Sequence, residues 1–117
     1  MSFKSFDIIL ITKNQNKPEK AIKFGEKISS DLNLKYRGIE RYHKFENSYR
    51  ILLSGNFPKH ENIYEYGLKI TSLITSDWKV NYSLNSGEFE LIFDKSDYSR
   101  FSKQEYNVID WAQFIIS

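Results

Sequence analysis

The apolar residues of this chain follow strand periods and helix periods in turn. Residues 6–12 form an apolar run, which is typical of a central strand with neighbours on both edges. Residues 35–45 and 48–54 predict two further strands, because they combine alternation with β-branched and aromatic residues. Glu46-Asn47 between these two segments predicts a tight hairpin turn.

Two more strands are predicted further along the chain. The first is half-buried, because polar residues separate its apolar positions, which are Trp78, Val80, Tyr82 and Leu84. Asn85-Ser86-Gly87 then supplies a turn. The return strand alternates in the same way, and its apolar residues are Phe89, Leu91 and Phe93.

Three segments have helical spacing. The apolar face of the first consists of Ala21, Ile22, Gly25, Ile28 and Leu32. The corresponding face of the second consists of Ile63, Gly67, Ile70, Leu73 and Ile74. A last helix is predicted from about Gln104, because four residues follow the spacing i, i+3, i+4 and i+7: Val108, Trp111, Ala112 and Ile115.

The first two helical segments belong to an internal repeat. "KFGEKISS" at residues 23–30 matches "EYGLKITS" at residues 65–72, and the match extends into the preceding strands. Each copy predicts a β-α-β unit with a glycine in the middle of its helix, Gly25 or Gly67. A glycine there costs about 1 kcal/mol relative to alanine, so we expect each helix to approach the sheet closely. The alternative is a chance glycine in a permissive surface turn.

The predicted element order is β-α-β-β-α-β, followed by a strand and a helix. The first six elements resemble the ferredoxin-like plait, whose two halves are related by pseudo-symmetry. We therefore expect a single α+β domain over residues 1–117, with both helices on one face of an antiparallel sheet ordered 5-4-1-3-2. The last helix would dock at an edge or on the uncovered face.

Composition excludes several kinds of chemistry. The 117 residues contain no cysteine, which removes disulfides, thiolate metal sites and cysteine nucleophiles. The amino-terminal residues carry no secretory signal pattern, and the apolar run at residues 6–11 is far too short to span a membrane. We therefore expect a cytoplasmic protein without membrane contact.

Catalytic and cofactor-binding motifs are not found in the sequence. It contains no nucleophile elbow, phosphate-binding loop or dinucleotide fingerprint. His43 and His60 are expected to be surface residues, and a zinc site would need carboxylates beside them. Glu88 and Glu90 share one face of a strand, where buried carboxylates could act as acid and base, but that face is expected to be solvated. We expect no enzyme activity, no cofactor and no metal.

Charge is unevenly distributed, and the basic half suggests nucleic-acid binding. Residues 1–60 carry 12 Lys/Arg against 6 Asp/Glu, whereas residues 61–117 carry 5 against 9. Cations interleaved with tyrosines (Tyr36, Tyr42 and Tyr49) suit single-stranded nucleic acid. The candidate residues are Lys35, Arg37, Arg41, Tyr42, Lys44 and Arg50. The third strand, "SYRILLSGN", lacks the glycine and aromatic residues of the RNA-recognition motif, so only a non-standard RNA binder is considered.

The acidic half suggests a protein partner instead. Carboxylates around aromatic residues can cover a basic surface, with the aromatics as buried anchors and the charges giving specificity. The candidate residues are Glu88, Glu90, Asp94, Asp97, Tyr98, Phe101 and Tyr106. The alternative is that the aromatic residues belong to the core beneath the last helix, which is the favoured interpretation for Phe89 and Trp111.

These features resemble those of bacterial immunity proteins, which bind and block nuclease toxins. The resemblance rests on small size, on missing targeting and catalytic signals, and on the acidic, aromatic carboxyl end; the net charge of +2 departs from the acidity of many such inhibitors. It implies a cognate nuclease toxin as partner, with carboxylates in place of phosphates. Nucleic-acid binding, and a small enzyme or ligand-binding domain, are the alternatives. An exposed edge strand could also pair two chains, so monomer and homodimer both stay open.

Overall fold

The structure is a computed structural model that describes residues 5–83, 85 and 88–116. The strands within these ranges are β1 (Ser5–Thr12), β2 (Lys35–Arg41), β3 (Tyr49–Asn56), β4 (Lys79–Tyr82), β5 (Phe89–Asp94) and β6 (Ile109–Ile116). The helices are α1 (Pro18–Leu32), α2 (Ile63–Ser72) and a 3₁₀ helix (Gln104–Val108).

The strands form one antiparallel sheet in the order β2-β3-β1-β6-β5-β4. The predicted order 5-4-1-3-2 is therefore wrong, and so is the ferredoxin-like plait. In the plait the fourth strand lies beside the first, whereas here β6 takes that place and β4 pairs with β5 at an edge. The α+β class is confirmed, and β1 is a central strand between β3 and β6, as its apolar run predicted.

β6 occupies the inner position beside β1 because its residues can be buried on both faces of the sheet. β6 has the sequence IDWAQFII, in which every residue is at least partly buried. β4 has only the four residues KVNY, and all of them are exposed. A strand with neighbours on both edges needs the more apolar sequence, and the short polar strand is tolerated at the edge.

The predicted carboxyl-terminal helix is also wrong, because β6 occupies most of that segment. Ala112 and Phe114 are fully buried on one side of the strand, whereas Trp111, Gln113 and Ile115 lie on the other side. This is an alternation of period two, and isoleucine, tryptophan and phenylalanine all favour strands. The helical spacing of the apolar residues was a coincidence of a sequence that is apolar on both sides.

Both helices cover the same face of the sheet, as predicted. Phe6, Ile8 and Leu10 of β1 point towards the helices and are fully buried. Ile8 lies opposite Leu53 of β3 and Phe114 of β6, and directly opposed residues share a face. The core of the domain therefore lies between this face and the two helices.

The repeated glycines lie where the helices meet the sheet. A Cβ atom added to Gly25 would lie 2.6 Å from Tyr36 Cε1, and one added to Gly67 would lie 2.9 Å from Phe114 Cε1. Both distances are too short for a real Cβ contact. The predicted close approach is thus confirmed, with α1 packed over β2 and β3 and α2 packed over β6 and β5.

The helix ends follow local sequence signals. Pro18 begins α1, and Asn33 ends it in the left-handed conformation with φ 58°. The Asn62 side chain caps α2 by accepting hydrogen bonds from two backbone N–H groups at 2.9 and 3.0 Å. Leu73 follows the end of α2 and is 49% exposed, so its predicted place on the apolar face is wrong. No helix within the described ranges is long and apolar enough to cross a membrane.

The tight hairpin predicted between β2 and β3 is wrong, because residues 42–48 form a longer loop. The Tyr42 N–H group donates to the Ser48 carbonyl oxygen at 3.0 Å and closes the base of the loop. The Gln15 N–H group donates to the Asn47 carbonyl oxygen at 2.9 Å and ties the loop to the segment after β1. The loop is therefore held in place at the end of the sheet.

The half-buried character predicted for the fourth strand is wrong as well. Val80 and Tyr82 are 49% and 50% exposed on this edge strand, although the Tyr82 ring meets Tyr64 of α2 edge-on, with ring centroids 5.8 Å apart. The predicted apolar position Leu84 and the Ser86-Gly87 part of the predicted turn lie outside the described residues. The return strand β5 is confirmed, with its alternate apolar residues buried.

An ionic cluster joins the end of α1 to the 3₁₀ helix. Asp31 accepts hydrogen bonds from the Tyr106 hydroxyl at 2.7 Å and from Lys27 at 3.2 Å, and Lys103 Nζ lies 3.1 Å from Oδ2, the oxygen that also accepts from Tyr106. The hydrogen bond from Tyr106, followed by that from Lys103, lowers the pKa of Asp31 from its ordinary value of 3.8 to about 2. The cluster fixes the approach to β6 against the first helix.

Candidate functional site

The face of the sheet that carries no helix is called the open face. Strand register sorts its side chains into rows that cross the strands. The first row, at the end of the sheet near residues 42–48, consists of Glu40, Arg50, Ile11, Trp111 and Asp94. The middle row includes Leu52, Ile9, Gln113 and Ile92. The last row includes Lys35, Ser54, Asp7, Ile115 and Glu90.

Apolar side chains occupy the centre of the open face. Ile9, Leu52 and Ile92 of the middle row are only partly buried, as are Trp111 and Ile115 in the neighbouring rows. Contiguous apolar surface of this kind, rimmed by polar residues, is typical of an interaction site.

A cleft of about 700 Å³ lies over the first row and is called the bipolar cleft. Its floor is apolar and contains Ile11, which is 6% exposed, together with Trp111. The wall on the β3 side is basic and aromatic, and it consists of Tyr42, Lys44, Phe45 and Arg50. The wall on the β5 side consists of Asp94, Lys95, Ser96 and Asp97, so two carboxylates and one ammonium group line it, and it is called the acidic wall.

Several charges of the bipolar cleft are paired within the chain. Arg50 Nη1 lies 3.2 Å from Glu40 Oε1, and Lys13 Nζ lies 3.3 Å from Asp110 Oδ1. Lys95 lies near the Lys13–Asp110 pair, and burial, together with the positive charge of Lys13, lowers the pKa of Lys95. The two ion pairs contribute little net charge to the cleft, whereas Lys95 donates to the Asn107 carbonyl oxygen at 2.6 Å and keeps its positive charge.

Three other charges of the cleft have no such partner. Within the described ranges, no ion pair or side-chain hydrogen bond is formed by Lys44, Asp94 or Asp97. All three residues are exposed. The cleft therefore presents the unpaired cation of Lys44 on one wall, and on the other two unpaired carboxylates that outnumber the cation of Lys95.

The predicted acidic surface is divided between the two ends of β5. Asp94 and Asp97 line the bipolar cleft, whereas Glu88 and Glu90 line a groove of about 880 Å³ beside Tyr82 of β4. At about 3.4 Å per residue, Glu88 and Asp94 lie roughly 20 Å apart. The four carboxylates thus do not form one patch.

The predicted aromatic anchors have three different environments. Tyr98 is 83% exposed, next to the bipolar cleft. Phe101 is partly buried and packs edge-on against Phe93, with ring centroids 5.6 Å apart. Tyr106 is 1% exposed, so a core position replaces the partner-binding position that was predicted for it.

The predicted basic surface is likewise divided. Three of its residues line the bipolar cleft: Tyr42, Lys44 and Arg50. Lys35 and Arg37 line a groove of about 340 Å³ at the opposite end of β2. Arg41 stacks on Tyr49, with its guanidinium carbon 5.9 Å from the ring centroid. Tyr49 is buried and Tyr36 packs against the core, so neither tyrosine offers a free ring to a nucleic-acid base.

The sequence interpretation missed the floor of the cleft. The sequence predicts Ile11 only as part of the central strand, and it predicts Trp111 on a helix packed on the core. The period-two alternation of Trp111, Gln113 and Ile115 was the available signal for an exposed strand face. The placement of Arg50 and Asp94 on opposite sides of that floor depends on the position of β6 and has no signal in the local sequence.

Metal ligands do not cluster in the described part of the chain. No group of three or more histidine, aspartate or glutamate residues there could hold a metal ion. His43 and His60 are both exposed, as predicted.

Comparison with known proteins gives no relative: no family model, no curated protein and no solved structure matches this chain.

Proposed function

We propose that the protein is an immunity protein, which binds a bacterial nuclease toxin in the cytoplasm and covers its active-site cleft. The observation that carries the proposal is the open face of the sheet, where an apolar floor lies between walls of opposite charge. An apolar centre surrounded by a polar rim is the usual anatomy of a protein–protein interface. The protein itself performs no chemistry on this surface and acts by occlusion.

The mixed charge of the open face favours a protein partner over a nucleic acid. A surface that tracks phosphates needs a continuous run of cations. Here carboxylates interrupt the cations in the first row, where Glu40 lies beside Arg50 and Asp94 occupies the far end. Each of these carboxylates would repel a phosphate backbone, whereas a protein surface can supply charges of both signs.

The acidic wall of the bipolar cleft favours a nuclease among protein partners. Asp94 and Asp97 are exposed carboxylates that lack a cation within the described chain. Cations of a nuclease cleft, which normally contact phosphates, would pair with them and would speed association. Tyr98 follows Asp97 directly and is 83% exposed, so its ring can anchor such a contact.

The experiment is capture of partners from a lysate of the source organism by the immobilised protein. The partner is then purified and tested for cleavage of RNA and DNA, alone and with the protein added in equimolar amount. We expect a stoichiometric partner whose nuclease activity is lost on addition of the protein.

Charge-reversal variants locate the contact. Asp94→Lys combined with Asp97→Lys should abolish capture, because both exposed carboxylates become cations. Glu61→Lys combined with Glu65→Lys is the matched control, because both residues are exposed and lie away from the bipolar cleft. Glu61 lies between β3 and α2, and Glu65 lies on α2. A captured protein without nuclease activity, or equal loss of capture in both variants, would contradict the proposal.

A second candidate function is single-stranded nucleic-acid binding along the β2 edge of the sheet. Lys35, Arg37 and Arg41 are exposed along this edge strand, and Lys44 follows in the loop. Recovery of RNA that is released by salt, with no protein partner, would favour this function. Arg37→Ala combined with Arg41→Ala should then weaken RNA binding, while Asp94→Asn should leave it unchanged or strengthen it.

A further inference from the structure

The first row of the open face has a fixed polarity across the sheet. Arg50 on β3 and Asp94 on β5 are the two ends of a stretch that has Ile11 and Trp111 between them. Three strand spacings of about 4.8 Å separate β3 from β5, so the two charged residues lie roughly 14 Å apart at the backbone. An apolar surface of that width lies between the cation and the anion.

The walls of the bipolar cleft reinforce this polarity. Lys44 stands on the same side as Arg50, and Asp97 stands on the same side as Asp94. The basic wall is held by the backbone hydrogen bonds at the base of the loop 42–48. On the acidic wall, the Ser96 N–H group donates to Ser99 Oγ at 2.9 Å and shapes the turn after β5.

The charges of the two walls do not neutralise each other. Lys44 forms no ion pair with Asp94 or Asp97, since no such contact within 4.0 Å occurs among the described residues. At physiological ionic strength, charges separated by more than about 8 Å are largely screened by solvent. Both signs are therefore free to pair with a ligand that bridges the apolar floor.

We propose that the bipolar cleft binds an extended segment of the partner protein in which an acidic and a basic residue flank an apolar residue. At about 3.4 Å per residue, roughly 14 Å corresponds to about four residues of extended chain. Residues i, i+2 and i+4 of such a chain point to the same side. The acidic residue would meet Lys44, the apolar one Trp111, and the basic one Asp94 and Asp97. The inference rests on the proposed function only in taking the ligand to be a protein.

The test is an NMR titration of the ¹⁵N-labelled full chain with capped synthetic peptides. The probe is Ser-Glu-Thr-Leu-Thr-Lys-Ser. One control carries Glu at both charged positions, a second carries Lys at both, and a third carries Ser in place of Leu. We expect shift changes confined to loop 42–48, to residues 94–97 and to the strand residues of the first row. The probe should bind about threefold tighter than each control of a single charge sign, because each control loses one exposed ion pair.

Neutralising variants distinguish the two walls. Lys44→Gln should remove the preference for the probe over the all-basic peptide, and Asp94→Asn with Asp97→Asn should remove its preference over the all-acidic peptide. Lys59→Gln and Glu61→Gln are the matched controls beyond the far end of β3, and they should keep both preferences.

The inference is overturned if the four peptides bind equally, if either single-sign peptide binds tightest, or if the shift changes lie outside the cleft. These outcomes are separable from the fate of the proposed function. Capture of a nuclease without the peptide preference would refute the inference and leave the proposed function intact. If the peptide preference is found but only RNA is captured, the proposed function is refuted, and so is a protein partner as the source of the bound segment.

Discussion

The Tyr106 hydroxyl donates a hydrogen bond of 2.7 Å to Asp31 Oδ2, and this bond joins the 3₁₀ helix to the end of α1. Tyr106 is 1% exposed, whereas the Asp31 side chain is 16% exposed. The Tyr106 ring meets Phe24 of α1 edge-on at 6.1 Å. The segment that leads into the central strand β6 is thus fixed by one buried ring and one charge-assisted hydrogen bond.

Tyr106→Phe should destabilise the domain by about 1–2 kcal/mol. The ring keeps its packing, but the hydrogen bond to a charged acceptor is lost. The measurement is urea denaturation at pH 7, with the midpoint and slope compared with those of the wild type. Tyr98→Phe is the control, because Tyr98 is 83% exposed, and it should leave the midpoint unchanged. Equal midpoints for Tyr106→Phe and the wild type would contradict the assigned bond.

The contribution of Asp31 to stability should vanish in acid. Its pKa is about 2 in the folded chain, against an ordinary value of 3.8, because Tyr106 and then Lys103 stabilise the carboxylate. A lowered folded-state pKa adds stability that is complete above about pH 5 and is lost as the pH falls through 3.8 towards 2. The difference in unfolding free energy between wild type and Asp31→Asn should therefore be constant above about pH 5 and about half as large near pH 3.

Denaturation series from pH 7 to pH 2.5 measure that difference. Glu61→Gln is the control, because the Glu61 side chain forms no ion pair or hydrogen bond within the described residues, and its difference should not follow the same curve. A difference for Asp31→Asn that is independent of pH would show that the ionic cluster does not stabilise the charged form.

Gly67→Ala should destabilise the domain, although alanine normally favours a helix by about 1 kcal/mol over glycine. The new Cβ would lie 2.9 Å from two atoms of the Phe114 ring, which is fully buried. Phe114 cannot move away freely, because Phe6 packs 5.1 Å from it between ring centroids. Overpacking of this kind costs about 1–3 kcal/mol.

Gly25→Ala should cost less than Gly67→Ala. The nearest atom belongs to the Tyr36 ring, which is only partly buried and can shift, and the buried Ile51 Cγ2 lies at 3.0 Å, where a small displacement is enough. Ser30→Ala, on the exposed side of α1, is the control and should be neutral or slightly stabilising. Thermal denaturation of the three variants gives the ranking, and a stabilising Gly67→Ala would contradict the close approach of α2 to β6.

Asn62→Ala should cost about 1 kcal/mol, because the Asn62 side chain accepts hydrogen bonds from the Tyr64 and Glu65 N–H groups at the start of α2. Lys17→Ala is the matched change at the start of α1, where the side chain forms no capping hydrogen bond. Urea denaturation should separate the two variants, and an equal loss in both would exclude the cap as the cause.

The local parts of the fold were accessible from the sequence. Residues 6–12 gave a central strand because an apolar run leaves no solvated face, and Gly25 and Gly67 marked the helix–sheet contacts because a helix tolerates glycine poorly without a packing reason. The strand at residues 109–116 was not predicted, for the opposite reason. A segment that is apolar on both sides fits the helical period and the strand period equally well.

Strand order was not accessible from the sequence by the same means. The repeat suggested two equivalent β-α-β units, and symmetry then placed β4 beside β1. In the structure β6 lies beside β1 instead, and β4, which is short and polar, lies at the edge of the sheet. The bipolar cleft follows from this choice, because Trp111 of β6 separates Arg50 from Asp94. Lys44 and Asp97 were both identified as surface residues, but no local pattern places them on facing walls.

The position of β6 also bears on how the chain is made. β1 and β5 lie on either side of β6 in the finished sheet, so both expose an unpaired inner edge until residues 109–116 emerge during synthesis. An apolar strand with an open edge can pair with another chain. The chain is therefore most prone to aggregate before β6 closes the gap between the two halves of the sheet.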